Sequence, residues 1–88
     1  MEIKYDPEKN QRNIKNRNLS FDLVKQFEWE SAVAWEDDRM DYGESRYCAL
    51  GYIDTRLCHV VFTYREEKVR VISLRKANKR EVKIYAET

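Results

Sequence analysis

Glycine and proline are scarce in this sequence of 88 residues, which contains two glycines and one proline. Disordered segments and scaffolds made mainly of loops use these residues more heavily, so the composition argues against both classes. Hydrophobic residues make up 42% of the chain and charged residues 38%, which allows a folded core under a densely charged surface. A chain this short forms one domain with one modest core, and we assign residues 1–88 to it.

Long apolar runs are also missing. No segment approaches the roughly 20 apolar residues of a membrane span, and residues 1–6 lack the apolar centre of a signal peptide. The two cysteines, Cys48 and Cys58, lie in apolar runs without the spacing of a zinc site. We expect buried, reduced thiols in a soluble cytoplasmic protein, although a disulfide between adjacent strands is the alternative.

The groups with which many enzymes move protons are nearly absent. His59 is the single histidine, so no Ser-His-Asp set is indicated, and its apolar run predicts a strand residue whose ring packs or faces solvent. There is no glycine-rich phosphate loop, and the acids between Glu36 and Glu44 lack the spacing of a calcium loop. These acids predict a solvated loop, with an anionic docking surface as the alternative. No metal or cofactor is expected.

Two helices are predicted in the first third of the chain. Asp6 followed by Pro7 is a typical helix start, because aspartate accepts hydrogen bonds from open amide groups and proline needs no partner at the first helical position. This helix should run to about Arg17, with Asn18 as its left-handed stop. A second helix is predicted over residues 20–29 from its capping serine and from apolar residues three and four positions apart.

Strand patterns dominate the remainder of the sequence. The predicted strands are 3–5, 32–36, 46–53, 57–64 and 69–74. Residues 77–86 should form a closing helix with Val82 and Tyr85 on its inner face, and Trp29 and Trp35 are expected in the core. The order β-α-α-β-β-β-β-α, with helices covering one face of an antiparallel sheet, predicts an α+β two-layer sandwich.

Positive charge is concentrated near the C-terminus, although the whole chain carries only +1. Residues 65–83 contain eight Lys or Arg against three acids, and a local basic face is typical of nucleic-acid binding. Arg75 and Lys76 lie where the last strand meets the last helix, whose open amide groups also favour anions. Arginine binds phosphate with a planar fork, and lysine is a compact charge whose pKa falls among other cations. The pair therefore suits cleavage of RNA by its own 2′-hydroxyl group.

The charge pattern alone is compatible with three other roles for the basic cluster. The cations can serve solubility alone, or they can bind RNA without cutting it. The third alternative is a protein interface that uses the basic face and exposed strand edges. Composition does not separate binding from cleavage.

Several motifs resemble the BrnT family of type II toxins over nearly the whole chain. In order they are Asp6-Pro7-x-Lys9-x-x-x-Asn13, Leu19-Ser20-Phe21, Glu44-x-Arg46-Tyr47-x-x-x-Gly51 and Val71-Ile72-Ser73-x-Arg75-Lys76-Ala77-x-Lys79-Arg80-Glu81, followed by Tyr85. The last motif is the most specific. The resemblance implies a RelE-like ribonuclease, held inactive in a heterotetramer by a BrnA antitoxin whose ribbon-helix-helix part makes the DNA contacts.

The same resemblance implies which residues form the site. The candidates for phosphate contact and catalysis are Arg46, Arg75, Lys76 and Arg80. The supporting RNA-binding candidates are Arg17, Lys79, Glu81 and Tyr85. The expected function is a metal-independent endoribonuclease that cuts RNA and inhibits translation, with Lys76 or a neighbouring group as the base. A non-catalytic RNA- or partner-binding protein of the same fold is the alternative.

The chain departs from the family pattern after the first helix. Many members have Lys-His-Gly there, whereas this chain has Asn16-Arg17-Asn18. Asparagine preserves a left-handed turn at small cost. Arginine does not shuttle protons near neutral pH, so Arg17 binds phosphate, another group is the base, or the activity is weakened.

Overall fold

A five-stranded sheet organises residues 2–88, which are the residues that the computed structural model describes. The strands are β1 (Ile3–Tyr5), β2 (Val33–Asp37), β3 (Arg46–Ile53), β4 (Arg56–Arg65) and β5 (Lys68–Lys76). The helices are α1 (Pro7–Arg17) and α2 (Lys79–Ala86), with two 3₁₀ segments at Phe21–Gln26 and Trp29–Ser31. The α+β class is confirmed. Within the described residues, no helix has both the length and the apolar character to cross a membrane.

Strands β2 to β5 pair antiparallel in chain order, as predicted. The turn between β4 and β5 has Glu66 and Glu67 at φ values of 52° and 64°, a left-handed pair whose twist matches that of the strands. Strand β1 differs from the prediction because it pairs with β5 in parallel, with Ile3 opposite Val69. Alternation over three residues predicts a strand but carries no information on its direction, and β1 takes the free outer edge of β5.

Helix α1 begins and ends at the predicted residues. The Asp6 side chain accepts from the Glu8 amide, and Asn18 ends the helix in the left-handed conformation with φ 56°. The helix has few apolar residues, and buried asparagines attach it to the domain. Asn13 Nδ2 donates to the carbonyl oxygens of Leu19 and Leu74, each at 2.9 Å. These bonds connect α1 to β5 and compensate the amide for its burial.

The predicted second helix forms the two 3₁₀ segments instead. Its buried apolar residues are Phe21, Val24 and Phe27, which lie three positions apart. Residues with this spacing eclipse one another in a 3₁₀ helix, whereas they drift around an α-helix. The three-residue spacing therefore favours the tighter helix, and Ser20 caps it as predicted by accepting from the Asp22 amide.

The sheet has an inner face and an outer face. The inner face carries Ala49, Val60, Val71 and Leu74, and it packs against the buried residues of the 3₁₀ segment to form the core. The outer face carries the alternate residues of the same strands, including the fully buried Leu50. Cys48 and Cys58 are buried free thiols, as expected.

Helix α2 lies on the outer face, opposite α1, so the prediction of helices on one face is wrong. The Tyr85 ring packs edge to face on Tyr52 at 5.5 Å, and its hydroxyl donates to the Ser31 carbonyl oxygen at 3.0 Å. Glu81 and Tyr85 are one turn apart and face the sheet, which directs Val82 away from it. Val82 is therefore 49% exposed and not on an inner face, contrary to the prediction.

Candidate active site

A cleft of about 790 Å³ lies over the outer face of the sheet. Its floor is formed by Cys48, His59, Val61 and Arg75 from the three central strands. One wall comes from β2 and the loop of residues 38–45, and it includes Trp35, Asp37, Arg39 and Tyr42. The other wall comes from α2 and includes Arg80, Glu81 and Ile84. Chain segments from both halves of the sequence therefore meet at this cleft.

Arg75 is held in the cleft by Glu81. The two residues form a fork of parallel hydrogen bonds, Nη1 to Oε1 and Nη2 to Oε2, each 2.8 Å long. Glu81 also accepts from the Asn78 amide while its own amide donates to the Asn78 side chain, which is a complete capping box. The helix start therefore fixes the carboxylate, and the carboxylate fixes the guanidinium group.

Arg75 and Glu81 each stabilise the charged form of the other. Hydrogen bonds from Arg75 lower the pKa of Glu81 to about 2, against the opposite effect of burial. Hydrogen bonds to Glu81 raise the pKa of Arg75. The Arg75 side chain is 32% exposed and that of Glu81 is 12% exposed, so Arg75 keeps access to a ligand in the cleft.

His59 lies beside this pair as a buried neutral side chain. It is the cross-strand partner of Arg75, and its Nε2 is 3.7 Å from Glu81 Oε2. Burial and the nearby Arg75 charge lower the pKa of His59. Its Nδ1 is buried without a hydrogen-bond partner among residues 2–88. The ring packs in the strand as one of the sequence alternatives predicted, but that prediction missed its place in the cleft.

The acidic loop is only partly a solvated loop. Asp37 is buried and accepts a fork of hydrogen bonds from Arg39, with Nε to Oδ1 at 2.8 Å and Nη2 to Oδ2 at 2.9 Å. These bonds lower the pKa of Asp37 to about 2. Arg46 stacks on the Tyr42 ring with its guanidinium carbon 4.0 Å from the ring centre, and its Nε is buried without a partner in the described chain. The loop therefore forms an ordered wall of the cleft.

The predicted basic face is divided in the structure. Arg65 pairs with Glu44, Lys68 with Glu2, and Arg75 with Glu81. Within the cleft, four arginines stand against Glu36, Asp37, Asp38 and Glu81, so the formal charges balance. Arg46 and Arg80 make no ion pair within residues 2–88. These two guanidinium groups, together with the partly exposed Arg75, are the cations available to an anionic ligand.

The remaining predicted site residues do not line the cleft. Lys76 follows Arg75 in β5, and because adjacent strand residues point to opposite faces, it lies on the side of its inner-face partner Cys58. Arg75 and Lys76 therefore leave β5 on opposite faces, and a catalytic role for Lys76 stays a prediction. Lys79 is exposed at the start of α2, and Tyr85 anchors that helix to the sheet.

Arg17 lies in a second groove, next to the cleft. This groove of about 290 Å³ is lined by Lys9, Arg12 and Arg17, with no acidic residue among its lining. Arg17 Nη1 donates to Ser73 Oγ at 3.2 Å. Ser73 and Ile72 line both the groove and the cleft, so the two depressions adjoin at β5.

The arrangement offers phosphate-binding groups and a wall with an exposed aromatic ring. Among residues 2–88, no group of three or more His, Cys, Asp or Glu side chains is arranged to hold a metal ion. Sequence reasoning missed His59, Asp37 and Trp35 as cleft residues. The alternation of β4 could have placed His59 on the same face as Arg75, but nothing in the sequence shows that α2 covers that face.

Comparison with known proteins adds family information to this geometry. Residues 5–81 match the model of a family described as the ribonuclease toxin BrnT of type II toxin–antitoxin systems. The crystal structure of the Brucella abortus ribonuclease toxin BrnT is similar, with a TM-score of 0.70 and 28% sequence identity. The similarity covers 90% of this chain and 99% of the Brucella chain. Comparison with curated proteins finds no significant match.

Proposed function

Because the chain belongs to the family of BrnT ribonuclease toxins of type II toxin–antitoxin systems, we propose that it is an endoribonuclease that cuts single-stranded RNA in the cleft and thereby inhibits translation. The convergence of Arg46, Arg75 and Arg80 on one cleft is the observation that carries this proposal. Arginine forks match the geometry of phosphate oxygens. Two of the three have no ion-pair partner among residues 2–88 and are ready to bind.

The proposed reaction uses the RNA's own 2′-hydroxyl as the nucleophile. The 2′-oxygen gives its proton to solvent water and attacks the adjacent phosphorus, and the bond from phosphorus to the 5′-oxygen breaks. The leaving 5′-oxygen takes up a proton from solvent water, so the products are a 2′,3′-cyclic phosphate and a 5′-hydroxyl. The guanidinium groups stabilise the charge that develops on the phosphate oxygens, and this role requires no metal ion.

The cleft favours electrostatic stabilisation over a dedicated base. Glu81 is a weak base because its pKa is about 2. The Nδ1 atom of His59 is buried, and Lys76 leaves β5 on the inner face. We therefore expect the Lys76→Ala variant to cut RNA more slowly but measurably, through loss of nearby charge, and the Arg80→Ala variant to lose most of its activity.

The second groove extends the proposed RNA path. Lys9, Arg12 and Arg17 form an uncompensated positive surface that adjoins the cleft at Ser73. A strand that leaves the cleft over Ser73 meets these cations with its next phosphates. In this proposal Arg17 binds phosphate, which accounts for an arginine at the position where the family pattern has histidine.

An antitoxin partner is implied by the type II family. We propose a BrnA-like partner with a ribbon-helix-helix domain that covers the cleft in a cytoplasmic heterotetramer and makes the DNA contacts. Such a partner inhibits cleavage by occupying the arginines that otherwise bind RNA.

Induced expression in a bacterial host tests the function. Growth and total RNA integrity are followed for the wild-type chain, for Arg80→Ala and for Lys83→Ala. Lys83 is an exposed cation on the same helix that does not line the cleft. We expect growth arrest and RNA breakage with wild type and Lys83→Ala, and normal growth with Arg80→Ala. RNA that stays intact while the wild-type protein binds it tightly would favour the non-catalytic alternative.

A further inference from the structure

Trp35 is the least buried aromatic residue of the cleft. Its side chain is 40% exposed, although the sequence predicted a core position. It lies on the edge strand β2 opposite Cys48, and therefore projects from the outer face into the cleft. The centres of the Trp35 and His59 rings are 6.0 Å apart, so the buried His59 ring on the cleft floor supports the Trp35 ring.

Trp29, the other tryptophan, packs in the core, and its surroundings differ from those of Trp35. Trp29 lies between two aromatic rings, with Phe27 at 4.6 Å and Phe62 at 5.1 Å, and it joins the core cluster. Trp35 is absent from that cluster. A single exposed apolar residue is common on protein surfaces, but Trp35 lies inside a cleft that also holds unpaired cations, which is where an aromatic ring can contact a ligand.

The surrounding charges distinguish between a phosphate and a base at this position. Asp38 follows β2, lines the cleft and has no ion pair among residues 2–88, whereas Glu36 lies opposite the inner-face residue Tyr47 and directs its side chain away from Trp35. The negative charge of Asp38 repels phosphate, but its carboxylate oxygens can accept hydrogen bonds from the amino group of a base. The cations Arg46 and Arg80 line the same cleft and suit the flanking phosphates. The cleft thus offers separate groups for the two parts of a nucleotide.

Ile84 adds an apolar surface from the opposite side. It projects from α2, lines the cleft and is 42% exposed. Trp35 on one wall and Ile84 on the other therefore give the cleft two exposed apolar surfaces. Stacking of unpaired bases on aromatic side chains is a general mode of single-strand recognition.

We propose that Trp35 is a stacking platform for one unpaired purine of the RNA substrate, beside the phosphates held by Arg46 and Arg80. A purine offers two fused rings for stacking and, in adenine and guanine, an amino group for the neighbouring Asp38 carboxylate. The inference rests on the proposed function, because it assigns a base subsite to the same cleft. It makes Trp35 a determinant of substrate preference.

Binding of uncleavable RNA tests the subsite separately from catalysis. Short 2′-O-methyl oligouridylates carry a single adenine, guanine or abasic site at successive positions, and affinity is measured by fluorescence anisotropy. We expect one position at which a purine strengthens binding to the wild type. At that position Trp35→Ala should weaken binding by roughly tenfold to a hundredfold, whereas Trp35→Phe should retain most of the affinity.

A double-mutant cycle identifies the contact. Replacing the purine by the abasic site should cost the wild type the same factor as Trp35→Ala, and the two changes together should cost little more than either alone. Tyr64→Ala is the matched control, because Tyr64 is an exposed aromatic residue of the sheet that does not line the cleft. It should bind every oligonucleotide like the wild type. Thermal unfolding of each variant checks that the fold is intact.

Three outcomes would overturn the proposal. Additive effects of the abasic site and Trp35→Ala would show that the base does not contact this ring. Unchanged RNA affinity together with weakened antitoxin binding would assign Trp35 to a protein interface. If Trp35→Ala binds and cuts RNA like wild type while Arg80→Ala is inactive, the subsite is wrong and the ribonuclease site stands. The reverse result, purine-dependent binding without cleavage by the wild type, supports the subsite and removes the catalytic function.

Discussion

Removing the negative charge of Glu81 tests the electrostatic structure of the cleft. Glu81→Gln keeps an oxygen that can accept from the Asn78 amide, since glutamine also serves in a capping box, but it loses the charged fork with Arg75. The pKa of Glu81 falls from 4.5 to about 2 on folding. At about 1.4 kcal/mol per pKa unit, this corresponds to about 3 kcal/mol before solvent screening. Because the cleft is open and Arg75 is 32% exposed, we expect a loss of about 1 to 2 kcal/mol at pH 7.

The stability difference between wild type and Glu81→Gln should depend on pH in a defined direction. Glu81 has a lower pKa in the folded state, so the unfolded chain binds the proton more readily. The stabilisation is fully present above about pH 4.5 and is lost as the pH falls towards 2. The free energies of unfolding of wild type and Glu81→Gln should therefore converge over this range. The pKa of Asp37 is also lowered to about 2, so protonation of Asp37 in acid destabilises both proteins. This contribution is the same in wild type and Glu81→Gln, and it cancels in the difference between their free energies of unfolding.

Denaturant unfolding monitored by circular dichroism at a series of pH values measures this difference. Glu87→Gln is the control, because Glu87 is an exposed acid at the C-terminal end of the same helix with no ion pair among residues 2–88. Its effect should stay within about 0.5 kcal/mol. A Glu81→Gln variant as stable as wild type at pH 7, or a difference that does not change with pH, would refute the reasoning.

Two further predictions concern the core and the RNA path. A Cβ atom at Gly51 would lie 2.5 Å from Phe27 Cζ, which is closer than two carbon atoms can pack. Gly51→Ala should therefore lower the free energy of unfolding by about 1 to 3 kcal/mol, measured by chemical denaturation. The additional change Phe27→Leu should recover part of this loss. No such recovery would show that the clash is not the cause. Arg12→Ala should reduce the slope of log affinity against log salt by roughly 0.7 for RNA long enough to reach the second groove, whereas Lys25→Ala should leave it unchanged. Equal slopes for wild type and Arg12→Ala would remove that groove from the path.

Local signals were sufficient for most of the fold. Asp6, Pro7 and Asn18 define α1 because capping and left-handed stops depend on near neighbours in the chain. The strands from residue 46 onward agree because their alternation is strong and their turns are short. The 3₁₀ segment also has a local signal, the three-residue spacing of Phe21 and Val24, but the same residues fit an α-helical stripe.

Non-local features were not predictable in the same way. The direction of β1 and the face covered by α2 depend on which surfaces remain free after the hairpins have paired. For this reason the sequence grouped Arg75 with Lys76, its neighbour in the chain, whereas the structure groups it with Glu81 and His59. Trp35 was assigned to the core because an edge strand cannot be recognised from alternation alone. Of the eight site candidates, Arg46, Arg75, Arg80 and Glu81 line the cleft, whereas Arg17, Lys76, Lys79 and Tyr85 do not.

Cleavage of RNA by the purified chain tests the central claim most directly. Labelled single-stranded RNA is incubated with wild type, Arg80→Ala or Lys83→Ala in the presence of EDTA, and the termini of the products are identified by mass spectrometry. We predict internal cuts with 2′,3′-cyclic phosphate and 5′-hydroxyl ends for wild type and Lys83→Ala, and nearly intact RNA for Arg80→Ala. Equal cleavage by Arg80→Ala would contradict the assignment of the active site to this cleft, and loss of wild-type cleavage in EDTA would contradict the metal-independent mechanism.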